Sequence, residues 1–110
     1  MERLDLNVGN YTIGDDLRLE YDGEPFTGEV VETAAGLLLA QDFYVNGVRH
    51  GPSKQWWGHG SLRSEGVMHN GRVRGTFKRW HPNGQLSEKS EFSDSGRLIS
   101  REKWMKKGTL

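Results

Sequence analysis

Cysteine is absent from this 110-residue chain, which removes disulfides, thiolate nucleophiles and thiolate metal sites together. Long apolar runs are absent as well. Hydrophobic residues make up only 34% of the chain, and no stretch approaches the roughly 20 apolar residues a membrane-spanning helix requires. The opening Met1-Glu2-Arg3-Leu4-Asp5-Leu6 has neither the basic nor the apolar region of a secretory leader, so the expected location is the cytoplasm. A chain of this size with so few apolar residues forms one domain with a thin core, and an enclosed active-site cavity is hard to build in it. An enzyme is therefore not expected.

Glycine is abundant instead: 15 of 110 residues, about twice the ordinary frequency of roughly 7%. Many tight turns follow, and long helices do not. Net charge is zero, from 15 bases and 15 acids, but the signs are unevenly placed. Residues 1–50 carry ten acids against three bases, net −7, so residues 51–110 carry the balancing +7. Such a split can steer oppositely charged partners to either half, although surface charge also scatters at little cost.

A period of 24 runs through the chain. Gly36, Gly60, Gly84 and Gly108 keep that spacing, and Leu38, Leu62, Leu86 and Leu110 follow each glycine by two residues. Trp56, Trp80 and Trp104 form a third series, with Glu32 in the equivalent place of the first unit. Gly23, Gly47 and Gly71 make a fourth, continuing to Ser95 beside Gly96, and Tyr44, Met68 and Phe92 a fifth. Several residue types holding one spacing mark a structural repeat.

The unit reads as a β-hairpin. Between Trp80 and Leu86, His81-Pro82-Asn83-Gly84-Gln85 has the chemistry of a three-residue loop: proline sets φ, asparagine tolerates the third turn position, and glycine takes the left-handed conformation. His81 then pairs with Gln85, and Trp80 lies opposite Leu86; the same count pairs Trp56 with Leu62 and Trp104 with Leu110. Asn46-Gly47, Asn70-Gly71 and Asp94-Ser95-Gly96 supply the turns between units. If Leu62 also faces Trp80, the tryptophans and leucines form one row across the sheet as its core. A strict two-residue turn at Asn70-Gly71 gives the wrong parity for that row, so a bulge or longer loop is expected, with Gly75 as its place. No segment has the 3.6-residue period of a useful helix. The expected fold is all-β, an elongated antiparallel meander of about four 24-residue hairpins.

The copies Asn46-Gly47-Val48-Arg49-His50-Gly51 to Gly60-Ser61-Leu62 and Asn70-Gly71-Arg72-Val73-Arg74-Gly75 to Asn83-Gly84-Gln85-Leu86 resemble the MORN-repeat variant, whose units are β-hairpins laid side by side. A weaker copy runs from Asp22-Gly23 to Leu38, and a partial one from Gly96 to Leu110. The implied units are about 22–45, 46–69, 70–93 and 94–110, preceded by a divergent segment 1–20. Glu32 in the aromatic position and an extra residue between Gly23 and Gly28 depart from the pattern. Among small bacterial proteins the variant is similar to the YwqK-like antitoxins. The resemblance implies an immunity protein of bacterial competition, neutralising one cognate secreted or contact-delivered toxin domain by blocking its active site. It implies no catalytic residue and no cofactor. The alternative is a MORN-type scaffold for membrane lipid or a structural protein partner.

Other chemistry is sparse. His50, His59, His69 and His81 sit at expected turns without HExxH or HxH spacing, so no metal site is expected. Asp15-Asp16 follows Gly14 at an apparent turn, where aspartate caps backbone groups, and no general-base role is assigned to it. Arg72 to Trp80 interleaves bases with aromatics, but the acidic half would repel a phosphate backbone, so direct nucleic-acid binding is not expected. Trp57 does not repeat, and strand alternation puts it on the face opposite Trp56. It is a candidate interface anchor, or a cover for the second face. Asp15, Asp16, Glu20, Asp22 and Glu24 are the candidate contacts for a basic toxin, for which a nuclease or deaminase is the natural guess. The free protein is expected to be a monomer that binds no membrane.

Overall fold

The turn glycines decide the architecture. In the computed structural model, which describes residues 2–7 and 9–105, Gly36, Gly60 and Gly84 adopt φ of 79°, 100° and 88°, the left-handed region that closes each hairpin loop at little steric cost. Asn46-Gly47 and Asn70-Gly71 are both left-handed, at φ of 50° and 81° and of 50° and 84°, as a two-residue hairpin turn matched to strand twist requires. The segments between these turns are strands, and no helix forms among the described residues.

Twelve strands result among the described residues: β1 (Arg3–Asp5), β2 (Tyr11–Ile13), β3 (Leu19–Tyr21), β4 (Glu24–Pro25), β5 (Gly28–Ala34), β6 (Leu37–Val45), β7 (Val48–Arg49), β8 (Gly51–Trp56), β9 (Leu62–His69), β10 (Arg72–Trp80), β11 (Leu86–Phe92) and β12 (Leu98–Lys103). Nine of them form one sheet in the order β1-β5-β6-β8-β9-β10-β11-β12, with β7 beside β6; β2-β3-β4 form a second, small sheet. The fold is thus all-β and mostly antiparallel, as expected. The exception is β1, which pairs parallel to β5 through Arg3–Glu29, Leu4–Val30 and Asp5–Val31.

The expected cross-strand pairs are present: Trp56 opposite Leu62 and Trp80 opposite Leu86, each beside a register shift. His81 N–H donates to the Gln85 carbonyl at 2.8 Å. The Trp104–Leu110 pair, with Gly108, lies outside the described residues. A bulge is found where one is needed, between Arg74 and Lys78, with Gly75 at φ 76°. Its effect differs from the expected row. Pairing steps from Arg74–Val67 to Lys78–Glu65 and Arg79–Ser64, so two residues are inserted, parity is unchanged, and Arg63 rather than Leu62 comes next in line with Trp80.

The deepest core is also elsewhere. Leu4, Leu19, Phe26 and Val30 cluster at 3–4% exposure, flanked by Leu6, Tyr21 and Tyr44. Trp56, Trp80, Leu38, Leu62 and Leu86 are half-buried, and Trp104 is exposed. Val31, Ser64, Met68 and Ser90 are also buried, but a single-layer sheet leaves much of each face wet, and the buried apolar cluster forms where a second layer covers one face. Residues 11–26 supply that layer, and with β1 they are integral to the hydrophobic core.

Two continuous rows cross the large sheet. On one face, Asp5, Val31, Gln41, Lys54, Glu65, Lys78, Lys89 and Glu102 are successive partners. On the other, Glu32, Ala40, Gln55, Ser64, Arg79, Glu88 and Lys103 are. Leu4 and Val30 belong to this second face by alternation, so the small sheet, through Leu19 and Phe26, packs on it.

Candidate functional site

Glycine and aspartate shape the small sheet. Asp22 and Gly23, at φ 54° and 80°, turn β3 into β4, bringing Glu24 opposite Tyr21. At the other end Asp16 accepts the Arg18 backbone N–H at 3.1 Å and pairs with the Arg18 guanidinium at 3.5 Å. Leu17 closes that turn at φ 66°, giving its N–H to the Gly14 carbonyl at 2.9 Å. Alternation turns Leu19 and Tyr21 toward the large sheet and Glu20 away from it.

The five candidate acids are therefore carried by one small element, although not by one spot. Asp15 and Asp16 lie at the β2–β3 turn, Asp22 and Glu24 at the opposite end of β3, and Glu20 between them. All are exposed except half-buried Glu20. Asp16 is partly neutralised by Arg18 in an exposed pair, an interaction worth little in water. Glu20 and Asp22 line a shallow depression with Tyr11 and Thr12. Beside the acids stand apolar side chains that sequence reasoning passed over: Tyr11, Ile13 and Leu17 are 41%, 57% and 83% exposed. The missed signal is that Ile13 and Leu17 lie at the edges of a polar turn, a place where apolar side chains stay exposed.

The small sheet is held at a defined place. Leu19 N–H donates to the Gly47 carbonyl, and Gly47 N–H to the Phe26 carbonyl, at 2.9 and 2.7 Å. A Cβ on Gly47 would lie 2.7 Å from the Leu19 carbonyl oxygen. Only glycine permits this approach, so the first inter-unit turn doubles as the seat of the acidic element.

Trp57 is half-buried rather than open. Its indole Nε1 donates to the Trp80 carbonyl at 3.3 Å, and the Arg63 guanidinium stacks 4.7 Å from its ring. It thus links neighbouring hairpin tips, a role its lack of repetition concealed. Among the histidines, the rings of His50 and His69 lie 4.9 Å apart, while His59 Nε2 sits 2.8 Å from Ser61 Oγ and 2.9 Å from the Pro82 carbonyl oxygen. Among the described residues no three metal-ligating side chains converge, and no helix is long and apolar enough to cross a membrane.

Compared with family models, with curated proteins and with solved structures, the chain matches none.

Proposed function

We propose that this protein is an immunity protein of the MORN-repeat, YwqK-like type, which binds a toxin domain and blocks its active site. One observation carries the reading: the small sheet combines exposed acids at 15, 16, 22 and 24 with exposed Tyr11, Ile13 and Leu17. Protein interfaces use apolar side chains for affinity and complementary charge for steering and selectivity. A toxin that acts on nucleic acid carries a basic groove, and an acidic element with apolar contacts is suited to fill it. The large sheet carries that element on one face.

Coexpression with the toxin domain encoded beside this gene tests the reading: growth is rescued by the intact chain. Asp15, Asp16, Glu20, Asp22 and Glu24 changed together to Asn or Gln slow association several-fold or more at low salt, and the deficit shrinks as ionic strength rises. An unchanged rate in a folded variant removes the acidic element from the interface.

A further inference from the structure

The face that carries the acidic sheet bears the opposite charge at its far end. Arg79, Glu88 and Lys103 are successive partners across β10, β11 and β12, and Phe77, Ser90 and Arg101 form the adjacent row on the same face. The Glu88 carboxylate is shared by three cations, with Arg101 at 3.8 Å, Arg79 at 4.0 Å and Lys103 at 4.0 Å. Among the described residues it is their one acidic partner, so the cluster keeps two positive charges in excess. Ser90, fully buried, accepts from Arg101 Nε at 3.1 Å and donates to Glu88 at 3.3 Å, and Arg79 stacks 5.4 Å from the Phe77 ring. The cationic heads are thereby held on one side of the sheet, with Arg79, Arg101 and Lys103 all exposed.

The opposite face is arranged differently. There Lys54 faces Glu65, Glu65 faces Lys78 and Lys89 faces Glu102, while Lys78 and Lys89 face each other, so two acids stand among three lysines. The face carrying the small sheet sets exposed acids at one end and this cation cluster at the other.

From this we infer that the partner docks across that face and presents an acidic protein segment to Arg79, Arg101 and Lys103 while its basic surface meets the β2–β4 sheet. The inference rests on the partner-binding reading above and adds the second half of the footprint. Strands lie about 4.8 Å apart, so β5 and β11, five steps apart in the sheet order, are separated by roughly 24 Å. That exceeds the roughly 10 Å Debye length at 0.1 M salt, so the two ends do not cancel in solution. It also matches the width of a standard interface of about 800 Å² per partner. A polymer of one sign, such as nucleic acid or an anionic membrane, is attracted at one end and repelled at the other. A folded protein with both signs is not.

The test is a low-salt titration of the full chain with a hexaglutamate peptide and, separately, a hexalysine peptide, followed by backbone amide resonances. Hexaglutamate shifts Phe77, Ser90, Arg101 and Lys103; hexalysine shifts residues 11–24. Arg79→Gln, Arg101→Gln and Lys103→Gln together weaken hexaglutamate binding at least ten-fold and leave hexalysine binding unchanged. Glu88→Gln removes the competing carboxylate and strengthens hexaglutamate binding several-fold, a gain that misfolding cannot imitate. Hexaglutamate shifts confined to Lys54, Lys78 and Lys89, or none at all, overturn the inference. So does a hexathymidine oligonucleotide that binds the cluster more tightly than hexaglutamate. Loss of hexalysine binding alone counts against the acidic-sheet reading and leaves this cluster standing.

Discussion

The indole N–H of Trp57 donates to the Trp80 carbonyl oxygen, 23 residues on, at 3.3 Å, and one repeat later His81 Nε2 meets the Trp104 carbonyl oxygen at 3.0 Å, again 23 residues on. The equivalent ring position thus ties these two hairpin tips to the unit that follows, although one copy is tryptophan and the other histidine. Both rings can present an N–H donor at this reach.

Trp57→Phe keeps an aromatic ring and removes the donor. The Trp80 carbonyl then loses its cap, and the expected loss is about 0.5–1.5 kcal/mol in urea unfolding. Trp57→Ala also uncovers the stem of Arg63 and should cost more than Trp57→Phe. Equal stability of Trp57→Phe and the parent chain would show that the tip link is idle.

The core beneath the small sheet should dominate stability. Phe26, 4% exposed, is expected to cost about 3–5 kcal/mol on substitution by alanine, the range for a buried aromatic. Trp80→Ala, at a half-buried site, should cost clearly less. Chemical denaturation of both variants decides between them.

Gly47→Ala and Gly23→Ala form a matched pair. Both glycines are left-handed, at φ 81° and 80°, so each variant incurs about 1–2 kcal/mol of backbone strain. At Gly23 the new methyl meets open space, whereas at Gly47 it meets the Leu19 carbonyl oxygen at 2.7 Å and Arg18 Cβ at 2.8 Å. Gly47→Ala should therefore lose more stability and loosen the small sheet, seen as faster amide exchange at Leu19 and Phe26.

Gly66 lies under the Phe77 ring, where a Cβ would approach Cδ2 to 2.5 Å. Gly66→Ala forces the ring aside and should cost about 1–3 kcal/mol, as overpacking does. Adding Phe77→Leu, which makes room, should recover part of that loss, and the double-mutant cycle measures how much.

Acid sensitivity should concentrate at Asp5. Its carboxylate accepts the Asn7 backbone N–H at 2.9 Å and the Thr33 hydroxyl at 2.8 Å. These bonds, the Asn7 backbone bond first, hold its pKa below the ordinary 3.8. A depressed folded-state pKa stabilises the fold above the unfolded value; that contribution is lost as pH falls from about 3.8 through the folded value. Asp5→Asn should flatten the pH dependence of unfolding in that acid window and leave its shape near neutrality unchanged.

The amino-acid sequence by itself determined the hairpins. Asn46-Gly47, Asn70-Gly71 and the glycines at 36, 60 and 84 specify left-handed turns, because the conformational preference that makes a turn resides in its own few residues. The pairs Trp56–Leu62 and Trp80–Leu86 follow from those turns by counting. Tertiary structure alone decided the rest. The parallel pairing of β1 with β5 joins residues 26 apart, such as Leu4 and Val30, and no local preference announces it. Which face receives Arg79, Arg101 and Lys103 depends on the register shifts of successive strands, since a one-residue slip sends every side chain to the other side. The tryptophan series marks the repeat legibly, yet the apolar cluster forms at Leu4, Leu19, Phe26 and Val30, because a second layer, folded mostly from residues ahead of the clear repeats, covers one face of the sheet there.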